Sequence, residues 1–304
     1  MLILVNGLPY FSKKIVDDLN EFDKVNRYVF FDTYSSDWQK IRFLLTLPFC
    51  SAVISFNGIS DKSNLFDWVI LFKKKVIMQW HGADVDLAVQ RTKNKTIDRK
   101  YIDYSTHLVS APWFSEELKN VIDKTIYAPF SYVDSAGNSN LYDKIKLLTY
   151  LANDKEEFYG WNEIYSFAKQ NPEIEITVIG SDGKGLNAPP SVNFKGWISK
   201  DELLVDFKRH AIFIRLTDHD GKALTVSQAL GAGCEVIWTY QLDNCHYIEK
   251  DSVQLDQKIK ELTNLIANRN LSPNQKNINY AKEHLLRESV IANYVEKLKI
   301  VLDA

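Results

Sequence analysis

Short apolar, β-rich runs alternate with helical patterns along almost the whole chain, and this alternation limits the fold more than any other feature. Strands that alternate with helices pair in parallel, with the helices covering the sheet. The predicted strands are residues 2–5, 28–31, 52–56, 76–80, 107–110, 125–128, 146–151, 175–180, 192–194, 211–216 and 235–239. The predicted helices are residues 13–19, 161–169, 200–208 and 225–232, with a further helix from Pro273 onward. The sequence therefore predicts an α/β chain built on doubly wound parallel sheets.

Residues 131–143, SYVDSAGNSNLYD, interrupt the alternation with a polar, turn-rich stretch that has no period. Such a stretch is typical of a linker. A chain of 304 residues is long enough for two domains of ordinary size. We therefore predict two Rossmann-like domains in tandem. Ligands of such sheets bind beyond the carboxyl ends of the strands, and two facing domains form a cleft between them.

The charge balance and the cysteines exclude several classes of protein. Lys and Arg number 37 and Asp and Glu number 39, which gives a net charge of −2 and argues against a nucleic-acid binder with a basic surface. The three cysteines have no disulfide or zinc spacing and predict reduced thiols in a cytoplasmic protein. The first apolar run is too short for a signal peptide. The longest, residues 65–80, is interrupted by charges and predicts no membrane span.

The segment from residue 68 to 75, WVILFKKK, combines aromatic and basic residues. Two interpretations remain open. It contacts the inner surface of an anionic membrane as a peripheral segment, or it is a buried helix that ends in a solvated turn of lysines.

The richest stretch for chemistry is residues 215–237, RLTDHDGKALTVSQALGAGCEVI. A strand ends near Leu216, a polar loop follows, and a helix begins near Thr225. The amino terminus of a helix presents free N–H groups and the positive end of the helix dipole, which together bind anions. Arg215 and Lys222 add positive charge for a phosphate. The alternative is a polar turn that only caps the helix.

This stretch resembles the donor-site segment of GT-B glycosyltransferases, in particular the retaining, nucleotide-sugar-dependent family 4. Asp220-Gly221, Gln228-Ala229, Gly233, Val236 and Ile237 stand at the matching places. The resemblance implies that Asp220 holds the hydroxyls of the transferred sugar and that Gln228 holds the ribose, where the family has glutamate at both positions. It also implies that the loop binds the pyrophosphate, through His219, Gly221, Lys222, Ala223, Leu224 and Thr225.

Other segments extend the resemblance over nearly the whole chain. Residues 146–164 resemble the first strand, loop and helix of the family's donor domain, with Lys155 as the only basic residue of the loop and Tyr159 in the place of a lysine. Arg215, Lys222 or His219 would then supply the missing charge. Trp197, in NFKGWIS, is placed to stack on the nucleobase. The alternatives are a solvated Lys155 and a core Trp197.

In the first half, MQWHGADV places His81 directly after a predicted strand. The resemblance implies that His81 hydrogen-bonds the sugar and that Asp84 orients an acceptor or acts as a base. Gly7 follows the first strand, and a glycine there lets the backbone approach a diphosphate closely. Taken alone, the His-Gly pair also fits an ordinary turn.

The resemblance implies a GT-B fold with two Rossmann-like domains facing a cleft. Residues 1–130 would form the acceptor domain, residues 131–285 the donor domain, and residues 286–304 a helix that packs back on the first domain. The implied reaction is transfer of a sugar from a UDP- or GDP-linked donor to a hydroxyl of a glycan or lipid-linked acceptor, in the synthesis of surface polysaccharides or glycoconjugates. It is implied to be retaining and to need no metal or cofactor. If it is inverting, Asp84 is the first candidate for the base and His81 the second.

Two other functions remain open. A sugar-nucleotide epimerase has the same two-domain fold but needs more carboxylates than Asp84, Asp218 and Asp220. A non-catalytic nucleotide- or glycan-binding relative is favoured by the altered acid pair. Nicotinamide, P-loop, serine hydrolase and metalloprotease motifs are missing from the sequence.

Overall fold

The computed structural model describes residues 1–303, which form two compact units. Unit 1 is Met1–Ser131 together with residues 288–303, and unit 2 is Tyr132–Arg287. Each unit contains one six-stranded sheet in which every pairing between named strands is parallel. The predicted α/β class with two doubly wound sheets is therefore confirmed.

The sheet of unit 1 has the strand order β2-β1-β3-β4-β5-β6. Its strands are β1 (Leu2–Gly7), β2 (Arg27–Phe30), β3 (Ala52–Phe56), β4 (Lys75–Trp80), β5 (Thr106–Val109) and β6 (Thr125–Tyr127). Between them lie α1 (Pro9–Phe22), α2 (Asp37–Thr46), a 3₁₀ turn (Leu47–Phe49), α3 (Asn64–Leu71), α4 (Ala83–Lys93), α5 (Arg99–Tyr104) and α6 (Phe114–Glu117). Strands β3 and β4 are almost entirely buried, as their apolar sequences predict.

The sheet of unit 2 has the order β12-β11-β10-β7-β8-β9. Its strands are β7 (Leu147–Tyr150), β8 (Ile176–Ile179), β9 (Val192–Phe194), β10 (Ile212–Arg215), β11 (Glu235–Trp238) and β12 (His246–Tyr247). Its helices are α7 (Trp161–Gln170), α8 (Lys200–Arg209), α9 (Leu224–Gly231), α10 (Ser252–Asn268) and α11 (Gln275–His284). Helix α8 begins at a capping box, in which the side chains of Ser199 and Glu202 each accept from the other's backbone N–H.

Both sheets reverse their strand order next to the first strand of the unit. In unit 1 the chain passes from β1 to β2 on one side and then to β3 on the other. In unit 2 it runs from β7 through β8 to β9 and then returns to β10 on the opposite side of β7. Ligands of doubly wound sheets bind at such switch points, beyond the carboxyl ends of the strands. The loops after β1 and β3, and those after β7 and β10, are therefore the places to look for chemistry.

Residues 131–143 are not a free linker. Val133 donates its backbone N–H to Leu285, and the Tyr142 hydroxyl donates to the carbonyl of Gly233. Tyr132, Val133 and Tyr142 are all buried. Polar composition predicted a tether here, but the few apolar side chains of the stretch pack it against unit 2 from Tyr132 onward.

The tail is two helices rather than the single one predicted. Helix α11 ends at His284, and α12 (Arg287–Asp303) follows and belongs to unit 1 from Glu288 onward. The hydroxyl of Tyr294 donates to Gln79 Oε1 at 3.0 Å, and Lys75 Nζ donates to the carbonyl of Leu302 at 2.8 Å. These bonds join α12 to β4. No helix within residues 1–303 is both long and apolar enough to cross a bilayer.

Candidate functional site

The carboxyl end of β10 carries a buried arginine at the switch point of unit 2. Arg215 is 8% exposed, and its guanidinium carbon lies 5.4 Å from the ring centroids of both Tyr150 and Tyr159. Tyr150 ends β7, and Tyr159 precedes α7. A guanidinium near aromatic faces gains cation–π attraction, which grows when water is excluded. Tyr159, where the resemblance leads us to expect a lysine, therefore contacts a cation that β10 contributes.

Asp220 pairs with this arginine. Arg215 Nε donates to Asp220 Oδ2 at 2.5 Å, and the two side chains are only 9% and 12% exposed. The Thr217 hydroxyl donates to the same oxygen at 3.4 Å, and the backbone N–H of Asp220 donates to the Tyr240 hydroxyl at 3.0 Å. Asp220 raises the pKa of Arg215 against the opposing effect of burial. The loop carboxylate is thus held inside the unit.

The amino terminus of α9 lies beside this pair. The residue before the helix, Ala223, makes no side-chain cap, and Arg215 Nη1 donates to the Thr225 hydroxyl at 3.4 Å. The first turn of a helix has backbone N–H groups without partners inside the helix, and these bind anions. Lys222, one residue before Ala223, is half-buried, and burial lowers its pKa. The structure thus brings together Arg215 and the residues from Asp220 to Thr225. We call this group the Arg215 site.

The remaining residues predicted for the second half have different surroundings. Gln228 lies on the second turn of α9 and is 7% exposed. Lys155 is exposed in the loop between β7 and α7, and His219 is half-buried in the loop before Asp220. Trp197, after β9, is 79% exposed, so it is a surface side chain and not a core one.

Sequence analysis did not single out Lys250, Tyr150 or Tyr240, which shape the same edge of unit 2. Lys250 Nζ donates to Asp218 Oδ1 at 2.7 Å and to the carbonyl of Glu157 at 2.5 Å. It therefore ties the loop after β10 to the loop after β7. No local motif marks these residues, because their partners lie 20 or more positions away in the chain.

At the switch point of unit 1, β1 ends in a glycine that no other residue replaces without strain. Gly7 has a φ of +115°, and a Cβ there would lie 2.6 Å from the carbonyl oxygen of Phe56, at the end of β3. The next N–H, that of Leu8, donates to this same oxygen at 3.2 Å. The glycine thus permits a close approach between the ends of two neighbouring strands.

His81 follows β4 within an aromatic group that we call the His81 pocket. Its ring stacks on Phe11 with centroids 5.8 Å apart and packs against Phe56 and Phe130 at 5.6 and 4.9 Å. Burial lowers the pKa of His81 to about 4, so its imidazole is neutral near pH 7. Nε2 is inaccessible and has no hydrogen-bond partner among residues 1–303. An orphaned buried nitrogen costs free energy unless a ligand or water meets it.

Asp84 lies beneath the backbone of this turn. It is 5% exposed, and its carboxylate accepts the backbone N–H groups of His81, Gly82 and Val85 at 3.0, 2.8 and 3.0 Å. It also accepts the N–H of Gly58, in the loop after β3, at 2.7 Å. A carboxylate with this many donors fixes the turn at the start of α4.

Unit 1 also contains a polar cavity that sequence analysis missed. It has a volume of about 320 Å³ and is lined mainly by polar and charged side chains, among them Asn6, Thr33, Asn57 and Arg91. Asn6 is 3% exposed, and its Oδ1 has no partner among the described residues. Arg91 donates to Ser60 Oγ at 2.8 Å. Within residues 1–303 no cluster of side chains has the composition of a metal site.

No protein-family model matches the sequence, and no curated protein sequence matches it. Solved structures do match. A glycosyltransferase from Rickettsia africae superposes with a TM-score of 0.67 at 9% identity, covering 99% of this chain and 98% of that one. Sucrose-phosphate synthase from Thermosynechococcus elongatus gives 0.64 at 12% identity, covering 100% of this chain and 99% of that one. The pneumococcal O-GlcNAc transferase GtfA, in complex with UDP and GlcNAc, gives 0.59 at 14% identity over 86% of this chain.

The matched share of the length differs among these proteins. This chain spans 60% of the length of GtfA but nearly the full length of the other two proteins. At identities of 9–14% the likeness concerns the fold. The chain has the GT-B fold that these glycosyltransferases share.

Proposed function

We propose that the chain is a glycosyltransferase of the retaining family 4 type, which moves a sugar from a UDP- or GDP-linked donor to an acceptor hydroxyl. The Arg215 site carries the proposal: a buried arginine and an uncapped helix terminus lie together at the switch point of unit 2. Among the structural neighbours, GtfA is described in complex with UDP and GlcNAc, and a trehalose-phosphate synthase from Burkholderia vietnamiensis is described as UDP-forming.

In this proposal the diphosphate binds at residues 221–225. The free N–H groups of the first turn of α9 and the ammonium of Lys222 offset its charge. Asp220 contacts the sugar hydroxyls while it stays paired with Arg215, and Gln228 contacts the ribose. Lys155, His219 and Trp197 line the nucleotide side. Because helix terminus and cations stabilise the leaving diphosphate, the reaction needs no metal or other cofactor.

His81 is the proposed catalytic residue of unit 1. Its neutral ring and unpartnered Nε2 suit a hydrogen bond to a hydroxyl of the transferred sugar or to the departing phosphate. Asp84 is a positioning residue, since its oxygens already accept four backbone N–H groups that hold the His81 turn. Gly7 keeps the end of β1 free of a side chain beside Phe56.

Retention follows if the leaving diphosphate itself assists the acceptor. The bond between the anomeric carbon and the phosphate oxygen breaks, and the acceptor oxygen bonds to that carbon on the same face. The acceptor proton passes to a phosphate oxygen. This route needs no protein base, which agrees with Asp84 being committed to the backbone.

The acceptor is proposed to be a hydroxyl-rich glycan or lipid-linked sugar, as in surface polysaccharide or glycoconjugate synthesis. The polar cavity of unit 1 supports this, because the unpartnered Asn6 Oδ1 can accept from a hydroxyl and Asn57 and Tyr34 present polar atoms nearby. The three cysteines are free thiols, in keeping with a cytoplasmic protein.

A non-catalytic nucleotide-binding role is the second candidate. The ion pair between Asp220 and Arg215 favours it, because each side chain reduces the charge that the other offers to a ligand. The epimerase alternative has less support, since Asp218 pairs with Lys250, Asp220 with Arg215, and Asp84 with the backbone.

The test is a thermal-shift screen of nucleoside diphosphates, followed by a nucleotide-release assay with each UDP- and GDP-linked sugar. We expect one nucleotide to stabilise the protein and its sugar conjugate to turn over. His81→Ala should lower kcat more than donor affinity, because the bond forms as the sugar leaves. His284→Ala, an exposed histidine of α11, is the matched control. Binding with no turnover of any donor would establish the binding role instead.

A further inference from the structure

Helix α2 turns an apolar face to solvent. Trp38, Ile41 and Leu45 recur at the spacing of one helix face and are 63%, 49% and 67% exposed, and Phe49 in the following 3₁₀ turn is 78% exposed. The buried contact of this helix is made by Phe43 instead. Single exposed apolar residues are ordinary, but a row of four is not.

The apolar face continues onto α3. Trp68, Leu71 and Phe72 are 47%, 66% and 40% exposed, whereas Phe66 and Val69 of the same helix are buried. Helices α2 and α3 contact each other. Lys74, just after α3, donates to the carbonyls of Pro48 and Cys50 at 2.8 Å each, and this joins the two elements. We call the seven exposed side chains of α2, the 3₁₀ turn and α3 the apolar face: Trp38, Ile41, Leu45, Phe49, Trp68, Leu71 and Phe72.

Basic residues surround the apolar face, although the chain as a whole has a net negative charge. The segments 37–49 and 64–75 hold five Lys or Arg and two Asp, a net charge of +3, against −2 for the whole chain. Both aspartates are paired, Asp37 with Lys40 and Asp67 with Lys100. Arg42 and Lys73 are exposed beside the apolar side chains.

We propose that the apolar face docks on the surface of a bilayer containing anionic lipids. Exposed tryptophans and phenylalanines with lysine and arginine around them are the composition of interfacial membrane segments, where the rings enter the headgroup layer and the cations meet lipid phosphates. If two copies of this chain met through this face, the basic residues around one apolar face would lie against those of the other. Their repulsion disfavours such a dimer. The surface shares no residue with the Arg215 site, and the proposal holds whether or not the chain transfers sugar.

The test measures binding to vesicles of phosphatidylcholine with and without phosphatidylglycerol, by flotation and without any donor. We expect binding that needs the anionic lipid and weakens as salt is added. Leu45→Ser with Phe49→Ser should weaken it at least about tenfold, because two large apolar side chains no longer leave water. Arg42→Gln or Lys73→Gln should weaken it about fivefold each.

Controls separate docking from damage and from other partners. Leu141→Ser with Val253→Ser changes two exposed apolar residues of unit 2 and should leave vesicle binding unchanged. Lipids with brominated tails should quench the fluorescence of the wild-type protein, and Trp38→Phe with Trp68→Phe should remove most of that quenching. Equal binding of the wild type and the Leu45/Phe49 variant would overturn the proposal. A wild-type dimer that this variant converts to a monomer, without vesicle binding, would overturn it in favour of a second copy.

Discussion

Neutralising either partner of the buried ion pair in unit 2 should lower stability while moving nucleotide affinity in opposite directions. Asp220→Asn keeps an oxygen that can accept from Arg215 Nε but removes the negative charge. Arg215→Gln removes the cation that lies between Tyr150 and Tyr159. A carboxylate in an exposed loop would contribute little to the fold. The pair's low exposure, 9% and 12%, indicates the opposite.

The magnitude follows from the contacts. Removing one partner of a buried pair costs roughly 3 kcal/mol at the lower end of measured values. The hydrogen bond that the substituted amide side chain retains offsets about 1 kcal/mol of this cost, so Asp220→Asn should cost about 2 kcal/mol. Arg215→Gln also loses its aromatic contacts, worth about 1 kcal/mol, and should cost about 3 kcal/mol. For a domain of this size these losses correspond to falls in Tm of roughly 4–8 °C and 6–12 °C.

The nucleotide should respond with opposite signs. In Asp220→Asn the guanidinium no longer faces a negative charge, and its other N–H groups can donate to a phosphate. A charge-assisted hydrogen bond of about 1.5 kcal/mol then tightens binding roughly tenfold. In Arg215→Gln binding should weaken by a similar factor. Urea unfolding and calorimetric titration with one nucleoside diphosphate measure both quantities. Glu261→Gln, which breaks an exposed pair with Lys258, is the control and should change stability by less than about 0.5 kcal/mol. Affinities that move in the same direction, or an Asp220 variant as stable as the control, would refute the reasoning.

Three further predictions concern pH, the ribose contact and the end of β1. Burial lowers the pKa of His81 and of His107 to about 4 from an ordinary value of 6.5. Between these pH values the unfolded chain therefore binds more protons than the folded one, and the free energy of unfolding should fall as the pH drops from about 6.5 to about 4. Urea unfolding at several pH values measures this, and a free energy that does not change over that range would contradict the prediction. Gln228→Glu should tighten nucleotide binding about fivefold by calorimetry, because a charged acceptor binds a ribose diol more strongly, and unchanged affinity would show that Gln228 does not face the ribose. Gly7→Ala should lower the free energy of unfolding by about 1–3 kcal/mol, because the new Cβ adds backbone strain and a clash with Phe56. Gly137→Ala is the control: Gly137 also has a positive φ but nothing lies within 4 Å of its Cβ position, so this variant should lose less stability.

Strands were predictable because buried parallel strands are short apolar runs between turn residues. Strands β3 and β9 begin and end at the predicted residues, and α9 begins one residue before the predicted start. The break between α11 and α12 was not predictable in the same way. It falls at Leu285 and Leu286, where no proline or glycine marks the end of a helix.

The candidate site was predictable in its position but not in its pairings. The sequence predicted a strand that leads through a glycine turn into a helix at residues 215–225, and in the structure β10 ends at Arg215 and α9 begins at Leu224. That connection is a common place for anions to bind in doubly wound sheets. The ion pair of Arg215 with Asp220 depends on where a loop side chain turns, and spacing in sequence does not specify this. Asp84 likewise receives the N–H of Gly58, a contact between two loops 26 residues apart.

The exposure of the apolar face was not predictable from the sequence. The spacing of Trp38, Ile41 and Leu45 indicates that they share one side of a helix. Periodicity does not reveal whether that side meets the core or the solvent. Phe43 and Leu47 supply the buried contacts of α2 and its 3₁₀ turn, which leaves the larger apolar row outside.

Because α12 belongs to unit 1, that unit is discontinuous in the chain. This fixes the order in which its parts are synthesised on the ribosome. All six of its strands are synthesised before unit 2, yet residues 288–303, which complete it, follow unit 2. Until Tyr294 arrives, Gln79 lacks its hydroxyl partner, and Phe56 and Phe130 lack the ring that packs 6.4 and 6.1 Å from theirs. Those phenylalanines are two of the rings around His81. In a nascent chain, residues 215–225 of unit 2 are therefore synthesised before the rings around His81 have their last neighbour.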